Sequence, residues 1–344
     1  MKSAIIGLPG SGRQSVFEAL TGLPADQAAK AEDRIAAIKV PDERIDALSR
    51  LYRPRKTIYA QVEFLLPDSA AYGGQPHREQ ALWSRVRDAD ALIHVVRNFT
   101  DAGGAPPRPQ KDHLALLQEM ILADLIVAEK RIERLSQDAK RGKKPNPEEL
   151  SLLEACRRHL EDEQPLRRFP ELSSAKLLRG YAFLTAKPVM ILFNNPDDDD
   201  RLPDMAEGGP AEKRLVIRGK LELELSQMNE ADAAEFLAEF GIRASARDRV
   251  IREAYDLLGL ISFFTVGDDE VRAWTVRQDT VAVDAAEVIH SDIKKGFIRA
   301  EVVSYGDLMD AGSTAEARRR GTLRLEGKTY RVKDGDIINF RFNV

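Results

Sequence analysis

Short apolar runs alternate with helical patterns along the first part of the chain. Ala4-Ile5-Ile6 reads as a buried strand, and Val16-Phe17-Glu18-Ala19-Leu20 begins a helix running from Ser15 to Thr21. Pro41-Asp42-Glu43 opens a second helix, Arg44 to Leu51, with acids in its first turn. Val62-Glu63-Phe64-Leu65-Leu66, Ala91-Leu92-Ile93-His94-Val95-Val96 and Val189-Met190-Ile191-Leu192-Phe193 read as further strands. Such alternation predicts an α/β fold, a mainly parallel sheet with helices on its faces. Ligands on such sheets sit beyond the C-terminal ends of the strands.

The pattern changes at residue 111. Leu114, Leu117, Ile121, Leu125, Ala128, Ile132 and Leu135 fall three or four apart, with charge between them. This is the spacing of a coiled-coil-like helix. Arg141-Gly142-Lys143-Lys144-Pro145-Asn146-Pro147 breaks it. A second helix, Glu148 to Glu163, carries Leu150, Leu153 and Leu160 on one face, so 111–172 forms an antiparallel hairpin. A loop rich in Asp, Pro and Gly runs from Asp197 to Pro210. Asn229 caps a helix to Phe240, and another helix spans Arg247 to Leu258. From Ile261 strand patterns return and persist to Val344. The acidic run Asp197 to Asp200 reads as a solvated loop. There is no internal repeat.

Composition narrows the class only modestly. A chain of 344 residues is long enough for two or three domains. Its net charge of −4 creates no global field toward nucleic acid, so any RNA contact must use local basic patches, and nothing suggests DNA. The single cysteine, Cys156, excludes an internal disulfide and a cysteine-rich metal site, which suits a reducing cytoplasm. No apolar stretch approaches a membrane span, and the apolar run after Met1 is too short for a signal peptide.

The chemistry concentrates in Gly7-Leu8-Pro9-Gly10-Ser11-Gly12-Arg13-Gln14-Ser15, between a strand and a helix. That is the setting of a phosphate-binding loop, G-x-x-x-x-G-K-[ST], whose glycines let backbone N–H groups converge on phosphate oxygens. Arg13 stands at the lysine position and Gln14 at the hydroxyl position. Arg13 keeps the charge, but its planar fork cannot occupy the space of an ammonium. The competing reading is a tight strand-to-helix turn that binds nothing.

The C-terminal third carries a resemblance. Phe263-Phe264-Thr265-Val266-Gly267, Glu270-Val271-Arg272-Ala273-Trp274-Thr275, Ile289-His290-Ser291-Asp292, Lys295 to Val302, Val332-Lys333-Asp334-Gly335-Asp336 and the ending Phe340 to Val344 resemble the YchF / Obg-like ATPase family of P-loop NTPases. The likeness extends over nearly the whole chain, including Val62-Glu63-Phe64 and His94-Val95-Val96-Arg97. It implies a G domain over 1–110 and 173–260, a coiled-coil insertion over 111–172, and a β-grasp TGS domain over 261–344. It also implies ATP in preference to GTP, Mg²⁺, and association with ribosomes or ribosomal RNA.

Set against that family, the nucleotide motifs are uneven. Ser15 offers a hydroxyl one position late. No threonine lies between Gly22 and Lys56, where the first switch should bring one to Mg²⁺; Pro24 to Glu32 is instead helix-prone. Leu66 takes the aspartate place of the second switch and Ser69 the glycine place, with Asp68 two residues late. The loop Ala70 to His77 lacks the family pattern, and His77 reads as a surface histidine. Base recognition is better preserved. Asn194, Asn195 and Asp197 follow a buried strand as N-x-x-[DE] should, and Gly219, Lys220 and Leu221 match the segment that packs on the base. Asp197 suits the ring N–H donors of guanine, whereas the family prefers adenine. The expectation is therefore a purine-nucleotide-binding protein with weak or lost hydrolysis, or a non-hydrolysing scaffold. Mg²⁺ would find a poor set of ligands. The better candidate for an RNA contact is the hairpin tip with Lys140, Arg141, Lys143 and Lys144; the run Arg318-Arg319-Arg320 reads either as an RNA contact or as a solvated face. His290 and Asp292 read as a structural pair.

Overall fold

The computed structural model describes residues 1–23, 33–68, 76–205, 212–239 and 245–343. The chain runs β1 (Lys2–Ile6), α1 (Arg13–Thr21), β2 (Arg34–Lys39), α2 (Glu43–Tyr52), β3 (Lys56–Ile58), β4 (Gln61–Leu66), α3 (Pro76–Val86) and β5 (Ala91–Arg97). There follow α4 (Pro109–Lys140), α5 (Pro147–Glu161), α6 (Pro170–Ser173), β6 (Val189–Asn194), β7 (Glu212–Ile217), α7 (Gly219–Gln227), α8 (Glu230–Glu239) and α9 (Ala246–Leu257). The last part is β8 (Leu260–Val266), β9 (Glu270–Arg277), α10 (Ala282–Ile289), α11 (Ser291–Lys295), β10 (Phe297–Ser304), α12 (Tyr305–Ala311), α13 (Thr314–Arg319), β11 (Arg324–Glu326) and β12 (Asp336–Phe342). It divides into two compact units, Met1–Ala37 with Glu63–Val250, and Ile38–Val62 with Ile251–Val344.

The first unit is built on a six-stranded sheet of order β2-β4-β1-β5-β6-β7. The pairings of β1 with β4 and β5, of β5 with β6, and of β6 with β7 are parallel. Ile5, Ile6, Leu92, Ile93, Ile191 and Leu192 are fully buried, as continuous apolar strands of a covered sheet should be. Helix α4 returns antiparallel as α5, and Leu116, Leu117, Met120, Ile121, Ala128 and Leu135 pack with Leu153, Cys156 and Leu160 in one core. Arg131 of α4 also pairs with Glu149 of α5 at 2.8 Å.

The second unit holds a mixed sheet, β11-β10-β12-β8-β9-β3, with a core that includes Ala282, Ala285 and Ala286 of α10, in a β-grasp arrangement. Residues 38–62 belong here, although the sequence pattern groups them with 1–110. Strand β3 adds to β9 in parallel, Lys56 opposite Glu270. Arg44 at the start of α2 clasps two carboxylates: Nε and Nη2 donate to Asp42, and Nη1 donates to Asp334 at 2.7 Å. Asp334 Oδ1 also accepts from Ser262 N at 2.9 Å. Gly335 has φ 86° and donates its N–H to Ser262 O, so the Val332–Asp336 signature is the turn that receives this arginine.

Several elements depart from the sequence expectation. Helix α1 begins at Arg13 rather than Ser15, because Gly12 already makes the turn. Strands β2, β3 and β7 and helix α7 carry patterns too short or too charged to stand out. Strand patterns do not persist unbroken beyond Ile261; α10 to α13 interrupt them. Leu114 is 46% exposed, so the buried face of α4 is rotated toward His113 and Leu116. The expected helix over 24–32 lies outside the described residues.

Candidate functional site

The strand order brings the C-terminal ends of β1, β5, β6 and β7 side by side, and four loops meet there. The first is the glycine loop. Gly10 and Gly12 take φ of 79° and 82°, which other L-residues avoid. Gly7 is needed for space: a Cβ there would lie 2.5 Å from Val95 O and 2.6 Å from Ser11 Oγ. Gly12 caps α1 without any side-chain hydrogen bond, so the first N–H groups of α1 remain for an anion.

Asn194, the last residue of β6, joins two of these loops. Its Nδ2 donates to Ser11 O at 3.1 Å, and its Oδ1 accepts from Gly219 N at 2.9 Å. The side chain is buried, and both glycines make room for it. A Cβ on Gly12 would sit 2.3 Å from Asn194 Nδ2, and one on Gly219 would sit 2.7 Å from Asn194 Oδ1. Asp197 Oδ1 accepts from Leu221 N at 3.2 Å, and Lys220 Nζ stands 3.8 Å from its other oxygen. Leu221 is buried and Lys220 is exposed. Asn195 is buried and donates to Arg201 O at 2.8 Å.

Sequence reasoning missed the loop after β5. Asn98 Nδ2 donates to Asn195 Oδ1 at 2.9 Å, and the Phe99 ring lies 3.9 Å from where a Gly12 Cβ would stand. Arg97 folds this loop by donating to the carbonyls of Phe99 and Ala105. The available signal was position: these residues follow a strand of the same parallel sheet.

The departures from the phosphate-loop pattern have visible partners. Arg13 Nη1 donates to Gly7 O at 2.8 Å, turning onto its own loop. Gln14 Nε2 donates to Glu18 Oε1 at 3.2 Å, and Glu18 also pairs with Arg34 at 3.1 Å. Ser15 is half-buried, and the Ser11 hydroxyl is buried without a hydrogen-bond partner among the described residues. Leu66 is buried and apolar, and Asp68 N donates to Asp33 Oδ1. Two places that supply Mg²⁺ ligands in such loops are changed: Gln14 offers an amide oxygen where a hydroxyl is expected, with its Nε2 held by Glu18, and the apolar Leu66 stands where a carboxylate is expected. Among the described residues, no three His, Cys, Asp or Glu side chains gather as a metal site. Ser69 to Gln75 lie outside the described residues, as does the side chain of His77.

Behind the loop, His94 and His113 are buried with Nδ1 atoms 3.2 Å apart. Burial pushes His94 well below the usual histidine range and His113 down to about 4. For His113, Glu212 opposes that shift while Arg167, Arg214 and Arg168 add to it.

Away from this site, Lys140, Arg141, Lys143 and Lys144 are all exposed at the hairpin turn, and Lys143 pairs with Asp138 at 3.0 Å. His290 caps α11 by accepting from Asp292 N at 3.2 Å. The arginine run splits: Arg318 reaches Glu301 at 2.7 Å, while Arg319 and Arg320 hold Glu316.

A glycine-rich strand-to-helix loop on a parallel sheet, braced by an asparagine from a nearby strand end, defines the P-loop NTPase fold. The comparisons carry this to a family. Residues 260–343 match the model described as YchF-GTPase_C, protein of unknown function (DUF933). The chain is 36% identical over 370 residues to the ribosome-binding ATPase YchF of Bacillus subtilis (strain 168), covering 100% of both. It is 35% identical over 367 residues to the protein of that name from Mycoplasma genitalium, again covering 100% of both. The structure of the Schizosaccharomyces pombe YchF GTPase superposes with a TM-score of 0.85 at 28% identity, over 99% of this chain and 97% of that one. The chain belongs to the YchF family.

Proposed function

We propose that this protein binds a purine nucleoside triphosphate and associates with ribosomes in the cytoplasm. The phosphates would lie on Gly7, Gly10, Ser11, Gly12, Arg13, Gln14 and Ser15. The base would lie against Asn194, Asn195 and Asp197 and the Gly219-Lys220-Leu221 turn. The observation that carries this reading is Asn194, bonded at once to the phosphate-loop carbonyl of Ser11 and to Gly219 N. Such a brace holds a phosphate site and a base site at fixed separation. ATP is favoured over GTP, because curated relatives are named ATPases and because one Asp197 oxygen is already held by Leu221 N. Hydrolysis is weak or lost. Transition-state stabilisation needs its metal ligands and charges in place together, and Gln14, Leu66 and the missing threonine alter three of those positions, one of them a carboxylate. Calorimetry with ATP and GTP, with and without Mg²⁺, tests this. Binding of ATP with little gain from Mg²⁺ is expected; no heat with either at millimolar nucleotide would overturn it.

The second reading is a scaffold that neither needs nor hydrolyses nucleotide. Arg13 favours it, since its guanidinium satisfies Gly7 O within the loop. Multiple turnovers per minute, abolished by EDTA, would exclude the scaffold and the weak-hydrolysis reading together.

A further inference from the structure

In the second unit, Arg318 of α13 and Arg341 of β12 share one buried carboxylate, Glu301, and Arg299 stands opposite Arg341 on the neighbouring strand. Ala300 and Phe340 pair across β10 and β12 and pack into the core, so Arg299, Glu301, Asn339 and Arg341 face the other way. Arg299 stands directly opposite Arg341, and Glu301 opposite Asn339. Glu301 Oε1 accepts from Arg318 Nη2 at 2.7 Å and from Arg341 Nη2, while Oε2 accepts from Asn339 Nδ2 at 3.0 Å. The carboxylate is 6% exposed, yet the two guanidinium side chains are 60% and 56% exposed. Arg299 is exposed and makes no ion pair among the described residues. Like charges directly opposite on neighbouring strands are unfavourable, and one carboxylate leaves two of these positive charges uncompensated.

We propose that Arg299, Arg318 and Arg341 form an RNA phosphate-binding site on the exposed face of the β10–β12 sheet, with Glu301 as its positioning residue. A guanidinium presents a planar fork that matches a phosphate bidentately. Glu301 fixes two such forks at a solvent-facing surface while consuming one Nη2 donor of each. The neighbouring Arg319 and Arg320 pair instead with Glu316, so the basic run is divided between two carboxylates and only Arg318 of it joins this face. The choice of RNA rests on the ribosome reading above. A chain of net charge −4 also needs a local cluster to hold any polyanion.

The test is fluorescence anisotropy of the full chain with a labelled single-stranded RNA of about 20 nucleotides, across a salt series. Each phosphate contact adds about −0.7 to the log–log salt slope for a single strand. Arg299→Gln with Arg341→Gln should weaken binding and flatten the slope by about 1.4. Arg318 is kept so that Glu301 retains a partner. Arg319→Gln with Arg320→Gln removes as much charge nearby and should keep the parent's slope. If the double variant unfolds, Arg299→Gln alone should flatten the slope by about 0.7. Equal slopes in all variants, no RNA binding by the parent, or a loss seen only on phosphatidylserine vesicles would overturn the proposal. Ribosome co-sedimentation of the parent, run in parallel, tests the ribosome reading separately. A parent that sediments with ribosomes while the Arg299/Arg341 variant keeps the parent's slope would sink this inference alone.

Discussion

Asn194 concentrates more consequence than any other residue of the site. Its amide satisfies a buried carbonyl and a buried N–H on two different loops. Asn194→Ala leaves both without partners, which costs about 1–3 kcal/mol for each buried group. Urea unfolding should show that loss, and calorimetry should show weakened nucleotide binding in the variant that still folds. An unchanged midpoint would mean the loops are held by other contacts. The His94–His113 pair makes a prediction of a different kind. The unfolded chain takes up a proton near the usual 6.5, whereas folded His113 does so only at about 4. Between these values the unfolded state binds more protons, so stability rises with pH and is lost as pH falls through that window. Between pH 7 and 5 the loss from His113 is about 2 kcal/mol, with His94 acting in the same direction. Comparing urea midpoints at the two pH values for parent and His113→Gln checks this; the variant should show the smaller drop.

At the scale of elements, the hairpin illustrates how far periodicity reaches. Spacing in α4 and α5 reveals two helices and a break, and both are present with boundaries within a turn or so of the sequence limits. It does not reveal which side of α4 turns inward. Leu114 falls in the apolar stripe by spacing yet is exposed, while His113 and Asp124 are buried. Asp124 explains its own burial: it accepts from Arg87, Leu184 N and Thr185, partners that come from distant positions in the chain. The hairpin turn is the outer end of this element and carries four exposed cations. If it contributes to ribosome association, changing Lys140, Arg141, Lys143 and Lys144 to Glu should weaken co-sedimentation and flatten its salt dependence. Folding should change little, since exposed substitutions usually stay within about 0.5 kcal/mol each. Parent-like sedimentation across the salt series would make the turn a solvated loop.

For the molecule as a whole, the unexpected feature is that residues 38–62 complete the second unit. Strand β3 extends its sheet, and Arg44 closes the Asp334 turn through charge-assisted hydrogen bonds. A fragment of residues 251–344 alone should therefore unfold at lower denaturant than the same unit within the full chain, because it lacks an edge strand and the α2 clasp. Arg44→Met in the full chain should destabilise the second unit by about 2 kcal/mol, since it leaves two carboxylates without their shared partner. The partial exposure of Asp334, 48% for its side chain, keeps the cost below that of a fully buried pair. Equal midpoints for the fragment and the full-chain unit, or for Arg44→Met and its parent, would show that 38–62 is only an appendage.

The local parts of this protein were legible in its residues. The glycine loop, the buried strands, the hairpin and the C-terminal signature depend on neighbours within a few positions, where backbone freedom and periodicity decide the outcome. What the sequence could not disclose are pairings that cross long stretches of chain. Arg44 meets Asp334, and Asn98 meets Asn195, only because the sheets bring distant segments together. The same holds for the basic residues. A run of three arginines reads as one feature in sequence, yet tertiary contacts give Arg318 to Glu301 and its two neighbours to Glu316. Composition sets how many charges there are; the fold decides which of them are neutralised by a partner and which face solvent.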